Sequence, residues 1–338
     1  VIVREPIVVD PDHRPIRKLA YVLTEGGPVT AAVTSPKDLT VIKVKERRAL
    51  IGRSTKEASR LKLSLPIEGE ITAVVLDGRG EDVFLGTSSG QLARVNLRDP
   101  RELQMTDMVL ATSPPGTGVS LLGFLIGDRT LIMGDMAGGV SSWQLLPDGG
   151  GQRLRKIYDF APHAGPVIAF APSWRDKGFV TADASGVTHL HYGTTGRTLL
   201  TVKAEGDDLR AVTLAPKANG LVTVDATGRL LHWGINNPHP EITLSSLFGK
   251  VWYEGYPEPA YVWQSTGGTD DFEPKFSLTP LIYGTLKGTF YALLFAIPIA
   301  LLGALYASQF MHPMIKGIVK PVVEIMAALP SVVLGFIA

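Results

Sequence analysis

Two patterns of apolar and polar positions divide the chain. Up to about residue 240, short runs alternate in type, as in Leu221-Val222-Thr223-Val224 and Leu230-Leu231-His232-Trp233. Such period-two runs predict strands packed on at least one face. Beyond residue 280 the alternation disappears. No Asp, Glu, Lys or Arg lies between Lys287 and Lys316, and Thr289 to Ala307 is almost continuously apolar. About 20 such residues suffice to cross a bilayer core of roughly 30 Å, and a buried soluble helix of that length without a polar face would be unusual.

The strand-rich part repeats itself. Four segments share a β-rich run, a tight turn ending in Gly, a second β-rich run, and a large residue five positions after that Gly. They are Phe84 to Gly90 leading to Val95, Leu131 to Gly138 leading to Trp143, Phe179 to Gly186 leading to His191, and Leu221 to Gly228 leading to Trp233. The turn glycines Gly90, Gly138, Gly186 and Gly228 are spaced 48, 48 and 42 residues apart. Ser35-Pro36-Lys37-Asp38 before Leu39-Thr40-Val41-Ile42 is a weaker, earlier copy. Each unit reads as a hairpin in which Gly supplies positive φ and Asp135, Asp183 or Asp225 bonds the following turn backbone. A small sheet cannot bury both faces alone and must stack on copies of itself. Periods of 40–50 residues with short strands predict a mainly β chain built as a β-propeller, its blade count left open.

His163-Ala164-Gly165-Pro166-Val167, then Phe170-Ala171-Pro172, then Thr181 to Gly186 resemble a WD40 repeat, with His191 where such repeats carry Trp. The other copies keep only the Gly-to-Trp portion, so the resemblance is to a degenerate WD40-like propeller. His189, His191 and His232 lie on strands and raise a metal reading. Bulky residues recur at such positions in most copies and no further ligand completes a recognisable spacing, so packing is the expectation and no metal is expected. The Asp-x-x-Gly turns are read as turn chemistry, with Asp135, Gly138, Asp183, Gly186, Asp225 and Gly228 structural. The sequence has no nucleophile elbow, no Gly-rich phosphate loop with Lys and no His-Glu-x-x-His. The propeller therefore reads as a binding module, not an enzyme, with no cofactor.

Residues 247–280 form an aromatic junction. Phe248, Trp252, Tyr253, Tyr256, Tyr261 and Trp263 crowd together, broken by Gly255, Pro257 and Pro259. Trp and Tyr favour membrane interfaces, so an interfacial collar is expected, against an aromatic mini-core closing the propeller. A transmembrane helix is expected over 281–310, kinked at Pro298 as membrane helices tolerate. A turn spans His312 to Lys316, and a second helix starts near Ile318 and runs over 318–338, broken at Pro330-Ser331. Lys316 and Lys320 favour a cytoplasmic turn, but Lys275 and Lys287 flank the other end equally, so charge leaves orientation open. Glu324 is the one acid here: either an intramembrane functional group or an interfacial residue that pairs locally.

Charge sharpens the division. The 338 residues hold 33 Lys and Arg and 32 Asp and Glu, and beyond residue 278 only Lys287, Lys316, Lys320 and Glu324 remain. The net charge of +1 argues against an electrostatic nucleic-acid binder. With no cysteine there is no disulfide framework, thiolate site or cysteine nucleophile. Starting at Val1 and stopping at Ala338 inside an apolar run, the chain is expected to be a fragment. Residues ahead of Val1 would then supply further blades and a first membrane helix.

Pro274-Lys275-Phe276-Ser277-Leu278-Thr279-Pro280-Leu281-Ile282-Tyr283-Gly284-Thr285-Leu286, and then Glu324 to Gly335 with Ala327-Ala328-Leu329-Pro330-Ser331-Val332-Val333, resemble the permease subunit of bacterial phosphate-specific ABC importers. The two stretches match that family's openings to its second and third membrane helices, in order. The resemblance implies an inner-membrane subunit with the 311–317 turn cytoplasmic and everything before Leu281 periplasmic. It implies an ATPase subunit, a second permease subunit and a periplasmic phosphate-binding protein as partners, besides the lipid bilayer. Two departures stand out: Lys287 replaces an apolar residue, though it can snorkel, and compact members lack the large preceding domain. Glu324, Pro330 and Ser331 are the candidates for a translocation pathway, since a Pro break frees backbone groups and a Ser hydroxyl can line a path. The rival expectation is a membrane-anchored propeller that scaffolds or senses.

Overall fold

A computed structural model describes residues 8–47, 55–203, 208–269, 271–329, 333 and 335–336. It divides into two compact units, Val1–Leu278 and Thr279–Ala338. In the first, the period-two runs become strands in chain order. The first sheet holds β1 (Lys18–Thr24), β2 (Gly27–Val33), β3 (Asp38–Arg47) and β4 (Thr55–Ser64). The second holds β5 (Ile71–Leu76), β6 (Asp82–Thr87), β7 (Gln91–Asn96) and β8 (Gln104–Leu110). The third holds β9 (Val119–Phe124), β10 (Thr130–Asp135), β11 (Val140–Asp148) and β12 (Gly151–Asp159). The fourth holds β13 (Val167–Pro172), β14 (Gly178–Asp183), β15 (Val187–Tyr192) and β16 (Arg197–Lys203). The fifth is three-stranded: β17 (Leu209–Leu214), β18 (Gly220–Asp225) and β19 (Leu230–Gly234).

Every one of these sheets is an antiparallel meander in sequence order. The first strand of each sheet packs beside the first strand of the next, from β1 through β5, β9 and β13 to β17. That is the arrangement of successive propeller blades. The sequence repeats are thus one blade each, and the weak copy at Ser35-Pro36-Lys37 is the β2–β3 turn of the first blade.

Alternation sets the core. On β6, Val83 and Leu85 pack toward the first blade while Phe84 faces the third. On β10, Leu131 and Met133 face the second blade and Ile132 the fourth. On β14, Phe179 faces the third and Val180 the fifth. β6, β10 and β14 are therefore buried along their whole length, while the outer strand β8 alternates with solvent and the outer strand β12 is mostly exposed. Each fully buried Leu, Ile or Phe contributes about 1.5–3 kcal/mol from area removed from water.

After the fifth blade come α1 (Leu244–Phe248), β20 (Trp263–Gln264) and β21 (Lys275–Phe276). Thr243 caps α1, its hydroxyl accepting from Ser246 N–H at 2.9 Å while Ser246 Oγ accepts from Thr243 N–H. Residues 247–278 fall in the same compact unit as the blades.

The second unit contains α2 (Thr279–Gln309) and α3 (Pro313–Ala328). α2 is 31 residues long, about 46 Å at 1.5 Å per residue. It is helical straight through Pro298, and none of its residues is buried. α3 begins at Pro313 rather than near Ile318, so the connection is shorter than the expected 312–316 turn. Proline is tolerated at the first helical position, where its missing N–H is not needed. Leu329 ends α3 in extended backbone, the conformation favoured before the proline that follows it in sequence. Pro330 and Ser331, two of the three pathway candidates, lie outside the described residues.

Candidate functional site

The repeated turns are built alike. Gly90, Gly138, Gly186 and Gly228 each donate their N–H to the residue three before, at 3.1–3.2 Å, with φ of 83°, 95°, 83° and 81°. Asp135 Oδ1 accepts from Ala137 and Gly139 N–H. Asp183 Oδ1 accepts from Ser185 and Val187 N–H. Asp225 Oδ1 does the same for Thr227 and Arg229. These bonds, that from the Thr227 hydroxyl foremost, hold the Asp225 acid down to about 2. In the second blade Thr87 takes the aspartate's place, its hydroxyl accepting from Gln91 N–H at 2.9 Å. The Asp pattern could not reveal Thr87, although its place three residues before Gly90 marks it.

The large residue five positions past each glycine occupies one register in all four copies. Val95 pairs with Val83, Trp143 with Leu131, His191 with Phe179 and Trp233 with Leu221. In the fourth blade this position carries a buried polar chain. His163 Nε2 lies 2.8 Å from Thr181 Oγ1, which lies 2.8 Å from His191 Nε2. His191 Nδ1 reaches Thr198 and His189 Nδ1 reaches Thr201. His163 Nδ1 faces Asp183 Oδ2 at 3.4 Å, long for a hydrogen bond. Burial, then the charge of His189, lowers His163 to about 4, and burial lowers His191 to about 3. His189 is lowered as well, by burial. His232, by contrast, is exposed. Among the described residues no group of three or more His, Cys, Asp or Glu is placed to hold a metal.

A second buried polar cluster ties residues 247–278, hereafter the strap, to the third and fourth blades. Lys177 Nζ contacts Glu254 Oε2 and the Ile126 carbonyl, both at 2.7 Å. Glu254 Oε1 accepts from the Thr130 hydroxyl at 2.7 Å, and its N–H donates to Glu273 Oε2 at 2.8 Å. Glu273 Oε1 accepts from Thr194. Lys275 Nζ donates to the Glu273 carbonyl and sits 4.9 Å from the Phe272 ring centroid. Two carboxylates and two ammonium groups thus balance, which is what buried charge requires. Burial, and then Glu254, raises the Glu273 acid. No local pattern betrays this cluster, because Lys177 and Glu254 are 77 residues apart.

The strap's aromatics split. Tyr253 is 1% exposed, and Trp252 Nε1 donates to the Tyr256 carbonyl. Phe248, Tyr261 and Trp263 are exposed. Between the second and third blades, a 290 Å³ cavity is lined by Asp77, Glu81, Arg98, Asp128, Arg129 and Trp143, among others. Burial raises the Asp77 and Asp128 acids.

In the helical unit, Lys287 Nζ lies 5.9 Å from the Tyr291 ring centroid. Glu324 is exposed on α3. The described residues bring no other candidate pathway group beside it.

No protein-family model matches the chain. Over 67 residues it is 34% identical to a probable ABC transporter permease protein, YqgH, of Bacillus subtilis (strain 168). That match covers 20% of this chain and 22% of the relative, so the chain spans about a fifth of the relative's length. Among solved structures it is similar to the Cps50 (Swd1) β-propeller domain of Myceliophteria thermophila, at 14% identity and a TM-score of 0.47, covering 62% and 67% of the two chains. It is also similar to a chain of the Mitotic Checkpoint Complex at 10% identity and a TM-score of 0.47, covering 66% and 64%. The computationally designed Ika4 protein matches at 20% identity and a TM-score of 0.40, covering 49% and 91%. The chain is mainly β, has β-propellers among its structural neighbours, and is in part similar to an ABC permease.

Proposed function

We propose that this chain is part of the membrane-embedded permease subunit of an ATP-driven importer for phosphate, with its propeller in the periplasm. The carrying observation is the helical unit: α2 holds a single charge, Lys287, over 31 residues and buries none of them. The two ordered motif stretches at 274–286 and 324–335 and the partial likeness to a permease support the same reading. In it, an ATPase subunit and a second permease subunit complete the transporter in the inner membrane, and a periplasmic phosphate-binding protein delivers the anion. The propeller enlarges the surface for that delivery and performs no chemistry of its own. Glu324, Pro330 and Ser331 belong to the pathway. The test is phosphate uptake by the intact transporter carrying Ser331→Ala with Pro330→Ala, and separately Glu324→Gln. Uptake should fall severalfold at unchanged membrane abundance, and unchanged uptake in both variants overturns the pathway assignment.

One observation favours a second reading, a membrane-anchored propeller that scaffolds or senses. Among the described residues only α2 is long and apolar enough to span a bilayer. Phosphate uptake that survives deletion of residues 279–338 from the intact protein would select it.

A further inference from the structure

We infer that one face of the propeller is a docking surface for an acidic protein segment, whose carboxylates are met by Arg79, Arg129, Arg175 and Lys217. The surface is made of the blades alone, so it holds whether or not α2 crosses a membrane.

Its material is the turn that joins the first two strands of a blade. In the second to fifth blades that turn is closed alike. The N–H groups of Asp77, Leu125, Ser173 and Ala215 donate to the carbonyls of Asp82, Thr130, Gly178 and Gly220 at 2.8–3.1 Å. Each of these turns carries one exposed basic side chain: Arg79, Arg129, Arg175 or Lys217. Three of them hold one place in the repeat, 11 residues before Gly90, Gly186 and Gly228. The first strand of each blade packs beside the first strand of the next, so the four turns line one face of the propeller. The glycine turns lie at the other end of each blade's second strand and form the opposite face. The two residues before each of those glycines include no Lys or Arg, and Arg229, just after the last, is paired with Asp225.

Acids share the basic turns, but they are engaged. Asp77 Oδ1 accepts from Glu81 and Asp82 N–H at 2.8 and 3.0 Å, and Asp176 Oδ1 accepts from Gly178 N–H at 2.9 Å. Asp128 is bonded by the Gly78 backbone, and Glu81 pairs with Arg98 at 2.8 Å. The four cations differ. Among the described residues no side-chain hydrogen bond or ion pair reaches Arg79, Arg129, Arg175 or Lys217. Two of them, Arg79 and Arg129, line the 290 Å³ cavity between the second and third blades. The other two line a 650 Å³ cleft between the fourth and fifth, where Asn219 and Asn236 add further donors. A free guanidinium fork beside a cleft suits a carboxylate, which it holds bidentately. Trp174 stands next to Arg175 and is 73% exposed, and Trp and Arg are side chains that anchor protein interfaces. A nucleic acid fits less well. Its backbone is negative along its whole length and would meet Asp77, Asp128 and Asp176 too, whereas an acidic segment sets single carboxylates against single cations.

The test probe is a fluorescein-labelled decaglutamate peptide. Its binding to the full chain in detergent micelles is followed by anisotropy at low ionic strength, where exposed charges are least screened. Arg79→Glu, Arg129→Glu, Arg175→Glu and Lys217→Glu together should weaken binding about tenfold or more. The neutral set Arg79→Gln, Arg129→Gln, Arg175→Gln and Lys217→Gln adds no repulsion among the blades and should still weaken it severalfold. Lys18, Lys37, Arg155 and Lys203 are exposed and lie away from these turns. Lys18→Glu, Lys37→Glu, Arg155→Glu and Lys203→Glu together should change binding by less than about twofold. No binding by the parent chain, or equal losses in the two reversed sets, overturns the inference. Tighter binding of a labelled ten-nucleotide thymidylate strand than of decaglutamate would assign the face to nucleic acid and overturn it as well.

Discussion

The blades and the helices use the same apolar residues to opposite ends. Phe179, Leu85 and Ile132 are wholly buried between blades, whereas Phe310, Leu302 and Ile299 are 78%, 67% and 68% exposed in the helical unit. The helical unit is the richer in apolar residues, but it is the period of the pattern that decides what those residues pack against. Alternation gives each strand two inward faces to share with neighbouring blades, and a run without period gives a helix apolar on every side. The first must find protein to pack on, and the second needs a solvent that is itself apolar.

Paired substitutions break this comparison most forcefully. Phe179→Ala should destabilise the blades by about 3–5 kcal/mol, the usual cost of a buried aromatic cavity. Leu302→Ala should leave denaturant unfolding of the blades unchanged. Equal effects would mean that the helical unit is packed like the blades.

Within the blades, the turn glycines should differ by surroundings. A Cβ on Gly138 would stand 2.2 Å from the His163 carbonyl oxygen, backbone that cannot move aside, while one on Gly228 would meet nothing within 4 Å. Gly138→Ala should therefore cost at least about 2 kcal/mol, from left-handed backbone and the clash together. Gly228→Ala should cost about 1 kcal/mol, from the backbone alone. Thermal unfolding of the two variants measures the gap, and equal shifts would contradict it.

Acid should act on the fourth blade. His163 and His191 are held to about 4 and about 3 in the folded protein, against about 6.5 when unfolded. Below about 6.5 the unfolded chain binds protons that the folded chain refuses. Stability is therefore whole above that pH and falls as pH drops toward 4, by up to about 1.4 kcal/mol per unit for each histidine. Glu273, raised by burial, gives the opposite slope, since its folded form takes up a proton first. A His163→Gln, His191→Gln double variant isolates the histidine part: its stability should depend less on pH between 6.5 and 4 than the parent's.

The smallest expected effect is at the fifth blade. Asp225→Ala removes the turn bonds to Thr227 and Arg229 and should lower the denaturant midpoint only slightly, because water screens bonds at the surface.

Much of the blade architecture was legible because it is local. The glycine, the Asp three before it and the large residue five after it recur within one hairpin, so 12-residue pairings such as Leu131 with Trp143 follow from spacing alone. Thr87 escaped because it does an aspartate's work with a hydroxyl. The strap was legible only in part: a crowd of aromatics marks the segment but does not say which rings turn inward. That division depends on Lys177 meeting Glu254 across 77 residues, and no short-range pattern encodes it. α3 starts earlier than its apolar pattern predicts because Pro313 opens the helix, a position that suits proline as well as a turn does.

The most direct test of the central claim, that residues 279–309 cross a membrane, is a ladder of single cysteines along α2 in cells producing the intact protein. A membrane-impermeant maleimide should label positions 280 and 309 when both sides are made accessible and leave 290–306 unlabelled. Labelling that is uniform along the helix would contradict the account.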